Sequence, residues 1–326
     1  MRHEEYQYLD LLQQILDKGE TKENRTGIDT VGIFGTQMRF SLKDQFPILT
    51  TKKVYWRGVV EELLWFIRGE TDSKLLEAKG VNIWKGNTSR EYLDKKGLVN
   101  YPEGESGCNY SWNWRHFNGK FEAEQVVPID GSELGLEDAF EIFDPEKHDP
   151  VDMKRRVFKC KTGPNTGVDQ LKNVIEKIRT NPNDRRLIVT AWNPLQVDQA
   201  ALPPCHAFFQ FYVCNGKLSC QVYQRSVDVP IGLPFNISSY ALLTYIVAKI
   251  TGLDLGDLIW VGGDTHIYVN QIEGVKKQLK RNPYDFPKLS INENIKNLED
   301  VENSNFEDYK LIGYKSHDAI KLPFAI

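Results

Sequence analysis

The chain has 326 residues, of which 40% are hydrophobic and 26% charged; 41 basic against 45 acidic side chains leave a formal net charge of −4. This is the composition of an ordinary folded protein, which excludes a disordered, collagen-like or disulfide-scaffold chain, and the length allows one large domain or two smaller ones. The mild acidity argues against a protein devoted to a polyanion, while leaving basic residues for local clusters.

Tyr8, Leu11, Leu12 and Ile15 recur at helical spacing and stop at Gly19, so the first element is an amphipathic helix. A turn-rich stretch, ENRTGIDT, leads into a strand-like run, VGIFGTQMRF. Val60, Leu63, Leu64 and Ile67 repeat the helical spacing up to Gly69. From Gly104 to Phe117 the chain is polar and aromatic, and over 118–166 it turns acidic, Pro/Gly-punctuated and weakly periodic, which reads as a surface insertion. A helix returns at Val168, Leu171, Ile175 and Ile178. Three strand-like runs follow, RLIVTAWN, HAFFQFYV and KLSCQVYQRS, and then ISSYALLTYIVAKITGL, apolar on most sides and therefore a buried core helix. Strands in the middle with helices around them predict an α+β protein rather than a βαβ alternation.

The five cysteines are Cys108, Cys160, Cys205, Cys214 and Cys220; none forms C-x-x-C and no Cys/His spacing reads as a metal site. The N-terminus lacks the apolar core of a signal peptide, and no run of about 18 uninterrupted apolar residues offers a membrane span. A reducing, cytoplasmic setting with free thiols is the expectation.

Cys205 follows two prolines in ALPPCH and opens a strand, a place where a thiolate can act as nucleophile; equally, a free cysteine is often a small core hydrophobe. His206 adds little, since successive strand residues point to opposite faces. Arg25 lies in a turn, Arg185 and Arg186 open a strand, and Arg225 closes one beside Ser226. Converging guanidinium groups would hold a phosphate and activate a thiol, and isolated ones would be solvated charge. Glu62 sits at the edge of an apolar helix face, where a half-buried carboxyl suits acid–base work, or where it is simply solvated. Asp228 and Asn236 flank a Gly/Pro turn; the amide could read a heterocycle or cap the next helix. No P-loop or dinucleotide fingerprint is present.

Together these stretches resemble the thymidylate synthase family. The residues that carry the likeness are ALPPCHAFFQFYV, QRSVDVPIGLPFNISSYALLTYIVAKITGL and GGDTHIYVNQIE, supported by NRTG, TTKKVYWRGVVEELLWF, NPNDRRLIVTAWNP and the terminal LPFAI, so it spans nearly everything outside 118–166. The resemblance implies one catalytic domain built on a large mixed, twisted sheet with surrounding helices, paired sheet to sheet in a homodimer. It implies that Cys205 attacks C6 of deoxyuridylate, and that Arg25, Arg225 and Ser226 hold the 5′-phosphate with Arg185 and Arg186 reaching across the dimer. Asn236 would bond the uracil edge, His206 and Asp228 would also contact the nucleotide, and His266 and Tyr268 would hold the ribose. Glu62 and Tyr110 would move protons at O4 and C5. The co-substrate implied is 5,10-methylenetetrahydrofolate, contacted by Trp84, Asp228 and Ile326, with Lys52 at its glutamate tail; no metal is implied.

Several positions depart from the family pattern. Where G-P-x-Y-G-x-Q-W is usual, this chain has Gly107-Cys108-Asn109-Tyr110-Ser111-Trp112-Asn113-Trp114; Lys85 stands where an aspartate is frequent, and N-R-T-G-I-D replaces D-R-T-G-T-G. N-Y-x-W resembles viral pyrimidine hydroxymethylases, which let water capture the C5 methylene. Two outcomes follow: dTMP with dihydrofolate by reduction, favoured by Trp84 and LPFAI, or 5-hydroxymethyl-dUMP with tetrahydrofolate by hydration. A third reading, a non-catalytic binding relative, is opposed by the retained Cys205, Arg225, Asn236 and Glu62 and, for nucleic acid, by the net charge.

Overall fold

The computed structural model describes residues 2–24, 26–121 and 167–324. A six-stranded sheet runs in the order β1-β2-β6-β5-β4-β3, formed by β1 (Glu20–Lys22), β2 (Thr30–Ser41), β3 (Ile188–Thr190), β4 (His206–Cys214), β5 (Lys217–Asp228) and β6 (Asp254–Tyr268). Only β5 and β6 pair in parallel, and the other neighbours are antiparallel, so the sheet is mixed. A two-stranded ribbon, β7 (Lys288–Ile291) with β8 (Tyr309–Ile312), stands apart from it.

A parallel pair needs a crossover, and the chain supplies it with a twenty-residue helix. Among the described residues the α-helices are, in chain order, α1 (Tyr6–Lys18), α2 (Trp56–Arg68), α3 (Lys74–Glu77), α4 (Arg90–Lys95), α5 (Tyr110–His116), α6 (Gln170–Thr180), α7 (Gly232–Thr251), α8 (Ile272–Leu279) and α9 (Leu298–Glu302). The crossover is α7, which packs on β5 and β6 on one side and on α2 on the other. Its length and composition would suit a membrane span, yet Leu233, Ile237, Ala241, Leu242, Leu243 and Ile246 are all buried in the core. Each such Leu or Ile contributes about 1.5–3 kcal/mol by leaving water, which fixes the helix inside. Pro234 is harmless there because the first turn's N–H groups have no partner within the helix.

The helix read from Val60 to Gly69 is α2, and Gly69 ends it in the left-handed conformation at φ 73°. The α1 helix is equally as read, although Gly19 leaves it extended at φ −70°. Two elements had no periodic signal: α5, in the polar and aromatic stretch, and the fifteen-residue β6, whose Gly262-Gly263 interrupts any alternation.

Of the segment read as an insertion, 122–166 lies outside the described residues. Its two ends meet: Phe117 and Val168 form an antiparallel bridge, exchanging N–H···O bonds of 2.9 Å in both directions. Gly167, at φ 73°, has no room for a side chain, since a Cβ would sit 2.5 Å from the Gly119 nitrogen and the His116 oxygen.

Candidate active site

The sheet brings three strand ends to one place. Cys205 immediately precedes β4, Arg225 to Asp228 end β5, and Asp264 to Tyr268 end β6. Register holds them side by side, His206 opposite Gln224, Ser226 opposite Asp264 and Asp228 opposite His266.

Strand alternation alone would turn His206 away from the surroundings of Cys205. A bulge between His206 and Phe208 breaks that alternation, so that both His206 and Ala207 are buried. The His206 ring lies flat on Tyr110, centroids 3.7 Å apart and 9° between planes, and its Nδ1 meets the Tyr240 hydroxyl at 2.6 Å. Burial alone drives the imidazole from 6.5 down to about 3, so it is neutral. The Tyr110 hydroxyl accepts the backbone N–H of Cys205 at 2.7 Å. Burial, and then the nearby Cys205 sulfur, push this phenol well above the usual tyrosine range.

Arg225 is tied to the same turn. Its Nε donates to the Pro204 carbonyl and its Nη2 to the Pro203 carbonyl, both at 2.8 Å, and Nη2 lies 3.7 Å from the Cys205 sulfur. The guanidinium also lies over Trp192, 5.4 Å from the ring centroid. Positive charge beside a half-buried sulfur favours the thiolate, the form that attacks carbon.

The amide of Asn236, one turn into α7, has an orientation that hydrogen-bond logic dictates. An indole N–H can only donate, and Trp260 Nε1 donates to Gln224 Oε1 at 2.9 Å. Gln224 Nε2 must therefore donate onward, and Asn236 Oδ1 accepts at 2.9 Å. That leaves Asn236 with its NH2 donors and a second oxygen lone pair, the complement of a ring carbonyl next to a ring N–H.

Glu62, on α2, accepts from Trp84 Nε1 at 2.8 Å. Burial lifts its carboxyl from 4.5 to about 7, the Trp84 hydrogen bond opposing the rise. Trp84, Phe66 and Tyr110 pack edge to face or tilted between Glu62 and His206. A carboxyl poised near neutrality beside the phenol that holds the Cys205 N–H is the equipment for proton transfer.

Asp228 is held by Gln271 Nε2 at 2.9 Å and receives the Ile231 N–H at 3.1 Å. Burial nonetheless raises its carboxyl, those hydrogen bonds opposing. Lys52 is buried and points inward, donating to the Pro230 carbonyl; burial lowers its ammonium to about 8, and Asp228 counteracts. His266 Nδ1 meets Asp264 Oδ1 at 2.8 Å and its ring stands edge-on to Tyr268.

Arg185 and Arg186 are not part of this cluster within one chain. Gln210, five residues along β4 from Cys205, donates to the Arg185 carbonyl, a separation of about 17 Å at the strand rise. Arg186 is paired with Asp184 on the surface. Arg25 and Ile326 lie outside the described residues. Sequence reading missed Gln224, Tyr240, Trp260 and Gln271. Tyr240 sits four residues after Asn236 on one helix, a spacing that could have linked them; Trp260 gave no signal, because its strand gave none. Among the described residues no group of three or more His, Cys, Asp or Glu could hold a metal ion.

A family model described as thymidylate synthase matches residues 6–326. The chain is 46% identical over 324 residues to the thymidylate synthase of Homo sapiens, covering 99% of this chain and 91% of that one. It is 45% identical to the thymidylate synthase of equine herpesvirus 2, covering 99% of each. With the bifunctional dihydrofolate reductase-thymidylate synthase of Paramecium tetraurelia it shares 47% identity, but it spans only 62% of that relative's length. A thiol beside a guanidinium, an amide of fixed sense and a carboxyl poised near neutrality thus stand on a chain matched from residue 6 to its last residue, and the chain belongs to the thymidylate synthase family.

Proposed function

We propose that this chain transfers a one-carbon unit from 5,10-methylenetetrahydrofolate to C5 of dUMP, giving dTMP and dihydrofolate. The observation that carries this reading is the convergence on Cys205 of Tyr110 and Arg225, with the Gln224–Asn236 amide pair set beside them by the pairing of Gln224 with His206. Cys205 sulfur adds to C6 of the uracil, which leaves C5 as an enolate carbon. Asn236 donates to the developing O4 charge and accepts from N3–H, and this favours uracil over cytosine, whose edge reverses those groups. Glu62, near neutrality, gives a proton toward O4 or takes it back, and Tyr110 stands by to relay the C5 proton. Arg225, with Ser226 and Arg25, binds the phosphate; His266 and Tyr268 hold the ribose.

For the folate, a carboxylate (Asp228) facing an ammonium (Lys52), together with the Trp84 indole on Glu62, suits a ligand that carries amine donors at one end and carboxylates at the other. Bound there, methylenetetrahydrofolate supplies the one-carbon unit and then a hydride. The chain's contribution is to orient it and to keep water from C5, with the segment toward Ile326 closing the cleft.

The exposed Ile188, Phe208 and Tyr212 share the face of β3 and β4 opposite Val189, Phe209 and Phe211, and they support a homodimer that pairs sheet to sheet. Arg185 and Arg186, remote from Cys205 in their own chain, then serve the partner's phosphate. The half-buried Cys205, in no disulfide, fits a reducing, cytoplasmic setting.

The test is turnover of dUMP with methylenetetrahydrofolate. Dihydrofolate and dTMP are expected; tetrahydrofolate with 5-hydroxymethyl-dUMP would replace reduction by hydration. Mixing the inactive Cys205→Ala and Arg185→Ala/Arg186→Ala chains should restore activity in heterodimers, and no recovery rejects the shared site.

A further inference from the structure

Glu5 is fully buried, and no lysine or arginine pairs with it among the described residues. Its carboxylate receives four donors instead: Thr51 N–H at 2.8 Å and Thr51 hydroxyl at 2.6 Å on one oxygen, Thr50 N–H at 2.9 Å and Thr50 hydroxyl at 2.6 Å on the other. A buried carboxylate costs the fold dearly unless every lone pair is met, and two adjacent threonines meet them with matched backbone and side-chain pairs. None of these groups lies in the Cys205 cluster, so this arrangement serves something else.

What Thr50 and Thr51 hold shows what it serves. The Thr50 carbonyl accepts the His317 N–H at 2.7 Å. Arg281 Nη1 bridges the Thr51 carbonyl and the Asp318 carbonyl at 2.8 Å each, and Gln278 Nε2 donates to the Thr51 hydroxyl at 3.0 Å. The next residue is Lys52, whose ammonium reaches Pro230 beside Asp228. Gln271 then joins Asp228 to the Pro323 carbonyl, and Leu322 packs on Gly274, where a Cβ would come within 2.2 Å of its Cδ2. The 50–52 segment therefore carries Lys52 on one side and the seat of the 317–323 segment on the other, and Glu5 is the post to which it is fastened.

We propose that Glu5 is a positioning residue for the folate side of the cleft, fixing Thr50 and Thr51 so that Lys52 faces Asp228 and the 317–323 segment lies along it. This rests on the reading of Lys52 and Asp228 as folate contacts given above. The discriminating variant is Glu5→Gln, which keeps the shape but turns an amide NH2 toward threonine donors. In the full chain, the KM for methylenetetrahydrofolate should rise about tenfold or more, while dUMP affinity by equilibrium dialysis and the rate of Cys205 alkylation stay within about twofold. A variant that loses thermal stability or active fraction with both KM values unchanged would make Glu5 merely structural and overturn the proposal. If Glu5→Gln does not fold, Thr51→Val removes one of the four donors and should move the same KM in the same direction by a smaller factor. A second readout needs no turnover: trypsin should cut Glu5→Gln at Lys315 and Lys321 several-fold faster than the parent chain, with cleavage at Lys18 unchanged. Were the parent to make no dTMP, the functional reading would fail while this cleavage difference still decided whether Glu5 holds the segment; equal cleavage in both would reject that.

Discussion

Tyr110 lies parallel on the His206 ring, centroids 3.7 Å apart, while its hydroxyl takes the N–H of Cys205 at 2.7 Å. One tyrosine thus fixes both residues of the Cys-His step, at the point where the bulge in β4 has turned His206 inward. The same hydroxyl is the group assigned to the C5 proton, so its position is set by the nucleophile's own backbone.

Tyr110→Phe should therefore do two things at once. It removes the acceptor of the half-buried Cys205 N–H, costing about 1 kcal/mol of stability. It also removes the relay, so kcat should fall on the order of 10²-fold while dUMP affinity changes little. Single-turnover kinetics with equilibrium dUMP binding separate the two; a variant with parental kcat would remove Tyr110 from the proton path.

Glu62 sets the next expectation. Its carboxyl is raised to about 7 chiefly by burial, and the Trp84 indole N–H is what keeps it from rising further. An acidic inflection in kcat against pH should appear near 7 and vanish in Glu62→Gln. Trp84→Phe removes the donor that favours the anion, so the inflection should move up by about one unit, the worth of one such hydrogen bond. A downward shift would mean that the indole does not act on Glu62.

Much of this site could be read before the fold was known, for a physical reason. Cys205 follows two prolines ahead of an apolar strand, Arg225 is a cation at the close of a strand, and Asn236 interrupts an apolar run, and each stands out in a linear string. Gln224 and Trp260 do not: they act on Asn236 only because the parallel pairing of β5 with β6 brings residues 36 apart within 2.9 Å. That pairing depends on α7 crossing over and on a strand with two adjacent glycines, neither of which gives a period-2 pattern. The inward turn of His206 is hidden from the sequence for a similar reason, since a bulge changes which face a residue takes without altering composition.

Thiol reactivity tests the Arg225–Cys205 contact directly. Among the described residues Cys108 and Cys220 are buried, and burial pushes the Cys220 thiol up to about 12, whereas Cys205 is half-buried and Cys214 exposed. Iodoacetamide should modify Cys205 and Cys214 in the native protein, with dUMP protecting only Cys205. In Arg225→Ala the guanidinium 3.7 Å from the sulfur is gone, and alkylation of Cys205 should slow by about tenfold, Cys214 serving as internal reference. Equal rates would show that the guanidinium does not activate this thiol.

His206 predicts the acid limb of stability. Its folded value of about 3 lies below the ordinary 6.5, so between those values the unfolded chain binds a proton that the folded one does not. Stability from this group is therefore fully present above about 6.5 and drains away as pH falls toward 3, about 5 kcal/mol in all as an upper bound. Glu62 and Glu105 work in the opposite sense: burial raises both to about 7, the fold holds their protons where the unfolded chain releases them, and each stabilises as pH falls from 7 to 4.5. The measured curve of the parent chain is a sum of these, which is why the variant matters. His206→Gln deletes only the histidine contribution and leaves both carboxyls, so between pH 7 and pH 4.5 the parent should lose about 3 kcal/mol more than the variant in urea unfolding. The variant starts lower at pH 7, having lost the Tyr110 stack and the Tyr240 hydrogen bond, and the two curves should converge as the pH falls. Parallel curves would mean that the fold tolerates a charged imidazole between Tyr110 and Tyr240.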